Sequence, residues 1–216
     1  MMMNLFSTFD PCTGMMSLNW ISSLTLIIMI NYNYWIKSNN FWNLILMIMK
    51  STKFELTSIT KTEGSTIMFM AMGLFIMINN MMGLLPYIFT SSSHLVFSFS
   101  LALPMWLSFM IFGWLHKTNL MFSHLVPSGT PPMLMPFMVM IETISNWIRP
   151  GSLAVRLTAN MIAGHLLMSL LGNNCSIMMT MLCMFIFIML MIFELAVSLI
   201  QSYVFMILST LYSSEI

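Results

Sequence analysis

The sequence predicts an all-α integral membrane protein. It should have three ordinary spanning helices, a short surface helix, and two long tilted helices forming an intramembrane hairpin. Three observations predict this class. Hydrophobic residues make up 59% of the 216 and charged residues only 6%, where soluble domains carry roughly a quarter charged residues. Seven Lys and Arg with six Asp and Glu cannot coat a soluble globule of this size. Those few charges are also clustered, and the charge-free runs between them are long enough to cross a bilayer as helices. A net charge of +1 excludes a nucleic-acid binder, which would need a basic face to meet phosphates. The apolar content excludes a disordered tail.

The elements follow in order. Met1 to Gly14 is an N-terminal segment outside the membrane. It lacks both the Arg-rich pattern of an import presequence and the basic-then-apolar pattern of a signal peptide. Residues 17–36 hold no charge and end in Tyr32, Tyr34 and Trp35, as an interfacial belt does. This is the first span. Residues 37–64 form a loop with Lys37, Lys50, Lys53, Lys61, Glu55 and Glu63. Its apolar middle, 41–49, is too short to span and reads as a surface helix. Residues 66–86 and 95–116 are the second and third spans. Asn79 and Asn80 in the former should face protein, because lipid offers an amide no partner. Four of the five lysines lie in the 37–64 loop, which puts that loop on the inner side and the N-terminus on the opposite one.

The C-terminal half departs from ordinary spans. Residues 133–172 and 177–212 are two apolar stretches, interrupted at Gly172-Asn173-Asn174. As helices each would be roughly 55–60 Å long, against a hydrocarbon core of about 30 Å. Steep tilt accommodates them, and Pro150 marks a kink in the first. The whole chain is one membrane domain.

Four ionisable groups are embedded there: Glu142, Arg156, His165 and Glu194. A charge at mid-bilayer costs at least about 2.5–3.5 kcal/mol, so such residues face a cavity or a partner. Arg156 is the sharpest case, since a guanidinium does not deprotonate in proteins. No acidic residue occurs between Leu157 and Phe193. Its anion is therefore supplied by another helix of this chain or by another subunit, and the second reading is the functional one. Arg149 sits beside Pro150, and its role is open. Helical spacing puts Asn160 on the face of Arg156, Glu142 about 40° away, and His165 about 180° away. Glu194, Ser198 and Gln201 form one polar stripe. The pairs Arg156–Gln201 and His165–Glu194 share nearly the same midpoint in sequence, so both would face each other in one antiparallel register. The break at 172–174 lies ahead of that midpoint, so the turn must be broad or staggered.

Titratable groups and amides in an apolar wall suit a proton relay. No nucleophile–base pair, phosphate-binding loop or zinc-protease motif occurs, so catalysis by this chain alone is not expected. Three cysteines without a C-x-x-C pair imply no disulfide framework or zinc knuckle, and no metal or cofactor is expected. His94, His116 and His124 fall near span ends and read as interfacial residues. Thirty methionines suggest an AT-rich gene and a genetic code with an additional Met codon, as in animal mitochondria. Synthesis within the organelle fits the absence of a targeting pattern.

The segment Leu153-Ala154-Val155-Arg156-Leu157-Thr158-Ala159-Asn160-Met161-Ile162-Ala163-Gly164-His165 resembles the signature of ATP synthase subunit a. Glu194-Leu195-Ala196-Val197-Ser198-Leu199-Ile200-Gln201 resembles the family's second signature, and Leu84-Leu85-Pro86 and Ile141-Glu142-Thr143 match in order. His165 together with Glu194 is similar to the mitochondrially encoded animal form, of arthropod type. The resemblance implies a rotary-motor stator in the mitochondrial inner membrane, working in proton transport and ATP synthesis. Its partners would be the c-subunit ring, whose carboxylate faces Arg156, and the peripheral-stalk and other membrane-sector subunits. It also implies that His165, Glu194 and Gln201 line one half-channel, that Glu142 lies in the other, and that Arg156 separates them. The competing readings are a self-contained secondary transporter or ion channel, and a purely structural subunit of a respiratory complex.

Overall fold

A computed structural model describes residues 5–12, 16–24, 40–60, 63–85, 88–126, 129–174 and 180–215. The described chain is helical: α1 Asn40–Ile59, α2 Glu63–Gly83, α3 Leu95–His116, α4 Thr118–Leu125, α5 Met135–Asn174 and α6 Thr180–Glu215. Short 3-10 turns occupy Leu5–Phe9, Leu18–Leu24 and Ser91–Ser93. Among the described residues four helices, α2, α3, α5 and α6, are long and apolar enough to cross a membrane. The protein is an all-α integral membrane protein.

Several boundaries differ from the sequence expectation. The expected first span, 17–36, begins as the 3-10 turn Leu18–Leu24, and its remainder lies outside the described residues. The surface helix does not stop at residue 49 but continues to Ile59. Its charges do not break it because they keep to the outer face. Lys50, Lys53 and Glu55 are exposed, while Thr52, Leu56 and Ile59 turn inward at helical spacing. The Gly172-Asn173-Asn174 break is absorbed into α5, which ends at Asn174. A glycine inside a helix costs only about 1 kcal/mol, which tertiary packing overrides. The connection between the long helices therefore falls at 175–179, outside the described residues and nearer the shared midpoint of the polar pairs. α5 carries Pro150 without a break in its helix.

The core is built by periodicity. On α5, Leu153, Ala154, Leu157, Thr158, Met161 and Met168 are buried, one stripe at three- and four-residue spacing. Ser152, Val155, Arg156, Ala159, Asn160 and Ala163 form the opposite face and are exposed. The buried stripe meets Ile76 of α2, Ala102 of α3 and Phe205 of α6. α1 docks through Leu56 onto Phe69, Met70 and Met206, and Tyr203 donates a hydrogen bond to Glu55 at 2.7 Å.

Between lipid-facing helices water supplies no hydrophobic drive, so close approach and small residues do the packing. α6 shows this clearly. Ser198, Ser202 and Ser209 are buried in a row, and each hydroxyl donates to a carbonyl of its own helix at 2.8 Å. The stripe is thereby small, smooth and internally satisfied. Opposite it, a Cβ added at Gly73 would stand 2.9 Å from the Met206 sulfur, so α2 and α6 meet where only glycine fits without a shift.

Candidate proton-path site

The two long helices bring the polar side chains into two separate clusters. The first lies between α5, α6 and α2, around a cavity of about 380 Å³ lined by Asn80, Asn160, Glu194, Ser198 and Gln201. Asn160 Nδ2 donates to Gln201 Oε1 at 3.3 Å. The expected partner of Gln201 was Arg156; the contact falls one turn further along α5. The expected His165–Glu194 pair is likewise not a direct contact. Glu194 lies against Gly164, one residue before His165, and its carboxylate occupies the space a Cβ there would need. His165 instead meets the ring of Phe9 edge-on, with centroids 6.0 Å apart, and has the Gly83 backbone as a polar neighbour. The antiparallel register is the one the polar spacing anticipates, offset by a few residues.

The unpartnered atoms are informative. Both carboxylate oxygens of Glu194, Nε2 of His165 and both amide atoms of Asn80 are buried without a hydrogen-bond partner among the described residues. A buried polar group left unpaired costs several kcal/mol on the order-of-magnitude scale of apolar transfer. Water or a bound proton is the partner such groups can take in a cavity of this size. Asn79 is different, donating to the Phe75 carbonyl at 3.0 Å. Sequence reasoning placed both amides against protein and missed that Asn80 opens onto the Glu194 cavity.

The second cluster lies toward the far end of the same helices. Arg149 pairs with Glu215 in the last turn of α6. It also approaches Glu142 at 3.8 Å and covers the Tyr212 ring at 5.1 Å. A cavity of about 470 Å³ is lined by Glu142, Asn146, Arg149, Glu215 and His124. Arg149, which sequence reading left open, therefore links α5 to the end of α6. Its spacing of seven from Glu142, two turns on one face, was the available signal. Glu215 was missed because a carboxylate at a helix end reads as solvated. His116 stacks on Phe112.

Arg156 sits on α5 between these clusters. It is exposed on the chain's own surface, and among the described residues it forms no ion pair. The face around it carries small side chains, with Ser152, Ala159 and Ala163 as its exposed neighbours. Among the described residues no group of three His, Cys, Asp or Glu side chains gathers to hold a metal ion.

One consequence is testable at Gly164. An added methyl collides with the far end of a flexible side chain, so the helices need not separate. Should Glu194 carry protons, as the resemblance implies, Gly164→Ala would leave the protein assembled while displacing its carboxylate, and proton flux would fall by about tenfold. Flux measured in vesicles beside a quantified assembly level checks this.

The profile of the family described as ATP synthase A chain matches residues 13–214. Curated proteins called ATP synthase subunit a align over 100% of both chains. Those of Aedes aegypti and Drosophila yakuba are each 55% identical, over 225 and 223 residues. That of Locusta migratoria is 52% identical over 224 residues. On this full-length similarity, the chain belongs to the ATP synthase subunit a family.

Proposed function

We propose that this chain conducts protons across the mitochondrial inner membrane as the stationary partner of a rotating c ring. Two offset half-channels, separated by Arg156, would serve the ring carboxylates. The observation that carries this reading is the position of Arg156: a permanent cation, unpaired among the described residues, on an exposed face between two cavities that each hold a carboxylate. A mid-membrane guanidinium requires an anion. A carboxylate carried past by a neighbouring subunit supplies one without leaving a fixed ion pair.

The roles follow from the two clusters. Glu194, His165, Asn160 and Gln201 form the inlet, where a carboxylate and an imidazole can exchange protons with trapped water. Glu142 belongs to the outlet, with Arg149 and Glu215 setting the charge around it. Protons cannot pass directly from one cavity to the other because Arg156 repels them. They must ride the ring. Each charge crossing gains about 2.3 kcal/mol per 100 mV of membrane potential, and the ring converts that into torque. The lysine-rich loop faces the matrix by the positive-inside rule, which turns the N-terminal segment toward the intermembrane space. The peripheral stalk and other membrane-sector subunits hold the chain against rotation. ATP is formed elsewhere, and this chain is not catalytic on its own.

Reconstitution tests the reading. In vesicles under a membrane potential, the chain alone should be nearly proton-tight and should conduct only with a c ring present. Specific proton conduction by the isolated chain would favour a self-contained channel instead.

A further inference from the structure

We propose that the turn joining α2 to α3 is the outer mouth of the inlet. It would be a hydrated passage in which His94 and the Thr90–Ser93 hydroxyls hand protons to His165 beneath the N-terminal segment. The proposal deepens the inlet reading above and rests on it.

The turn is unusually polar for a buried connection. Thr90, Ser91, Ser92 and Ser93 are 3%, 2%, 0% and 5% exposed. Part of this is internally satisfied: Ser93 Oγ donates to the Thr90 carbonyl at 2.7 Å and lies 2.9 Å from Thr90 Oγ1. Part of it is not. Among the described residues Ser92 Oγ and His94 Nε2 are buried with no partner, and His94 precedes α3 without a side-chain cap. Buried orphans of this kind are satisfied by water when the site is polar.

The turn also points toward the inlet. The Thr90 methyl lies 3.3 Å from where a Cβ on Gly83 would stand, and the Gly83 backbone neighbours His165. The missing side chain at Gly83 lets the turn pack closely against it, with the Met161 methyl 3.2 Å from the same point. The N-terminal segment and the 3-10 turn Leu18–Leu24 after it cover the two histidines with aromatic rings. Phe9 meets His165, and Trp20 lies 5.2 Å from His94. Ser22 ties the cover down by donating to the Phe89 carbonyl at 3.3 Å. The helices packed on this turn carry Glu63, His116, Glu142, Arg149, Arg156 and His165, and Asp10 follows Phe9 in the cover; among the described residues no carboxylate forms an ion pair with His94. An imidazole is the one side chain whose ordinary range lets it take and release protons near neutral pH. Here it would accept a proton from outer water at one ring nitrogen and release one inward from the other.

A purely structural turn would be dry. The test uses the assembled ATP synthase with Cys12, Cys175 and Cys183 replaced by Ser and with Ser92→Cys added. A small, cationic, membrane-impermeant thiosulfonate is applied from the side of the N-terminal segment. The proposal expects labelling of residue 92 and a fall in proton flux of about tenfold on labelling. It expects a similar fall for unlabelled His94→Gln, with assembly intact. No labelling at 92, or labelling with full flux and a fully active His94→Gln, would overturn it. Glu194→Gln, measured in parallel, separates the two failures. If that variant blocks flux while the residue 92 and 94 variants do not, only the mouth is wrong; if it conducts normally, the inlet reading itself falls.

Discussion

Arg156→Lys should reduce ATP-coupled proton flux by at least about a hundredfold, the size of effect seen when one preorganised charge contact is removed. The substitution keeps a cation, yet loses what the site uses. An ammonium lacks the planar fork that meets a carboxylate with two donors. It can also give up its proton in an apolar setting, which a guanidinium cannot. Arg156→Ala goes further, because it removes the barrier between the cavities. It should stop ATP synthesis and also let protons leak through the ring interface without rotation. Arg156 touches none of the buried stripe of α5, so both variants should assemble. Proton uptake and ATP synthesis measured in the same vesicles distinguish blockage from leak. Wild-type synthesis by Arg156→Lys contradicts the assigned role.

The second large effect is expected at Glu194. Glu194→Gln should slow proton flux by about a hundredfold, in the range lost when a positioned proton-transfer group is removed. Gln fills the same space against Gly164 and can still hydrogen-bond, so packing should be little changed. It cannot carry a proton. Glu194→Asp keeps the carboxyl but withdraws it from the His165 side by one methylene, so an intermediate rate is expected. Quantifying assembled enzyme by native gel beside proton flux separates transport from assembly. Normal flux in well-assembled Glu194→Gln enzyme would remove the inlet relay.

The residues proposed to carry these effects stand out in the sequence because charge is so scarce in it. With 6% charged residues, each embedded group stands out against hydrocarbon, and its cost demands a cavity or partner. Helical spacing then sorted the faces of α5 and the polar stripe of α6. Four things were not legible. The ends of α5 and α6 were displaced because glycine and asparagine favour a turn locally, whereas packing between long helices carries α5 to Asn174. The exact pairing was missed because spacing gives the shared face and not the neighbour met on it: Gln201 meets Asn160, one turn beyond Arg156, and Glu194 meets Gly164, one residue before His165. The outlet cluster was half seen, since Glu215 joins Arg149 only through the fold, 66 positions apart in sequence. That Asn80 opens onto the Glu194 cavity and that the Thr90–Ser93 hydroxyls are buried was not legible, for a related reason. A buried amide or hydroxyl has no charge to betray it, and only missing hydrogen-bond partners single it out.

What Arg156 faces in the working enzyme decides the account most directly. A side-chain-resolution map of the assembled membrane sector should show its guanidinium within hydrogen-bonding reach, direct or through one water, of a carboxylate on the c ring, with no acidic side chain of its own chain paired to it. Arg156 locked to Glu142, Glu194 or Glu215, or turned away from the ring toward lipid, would contradict it.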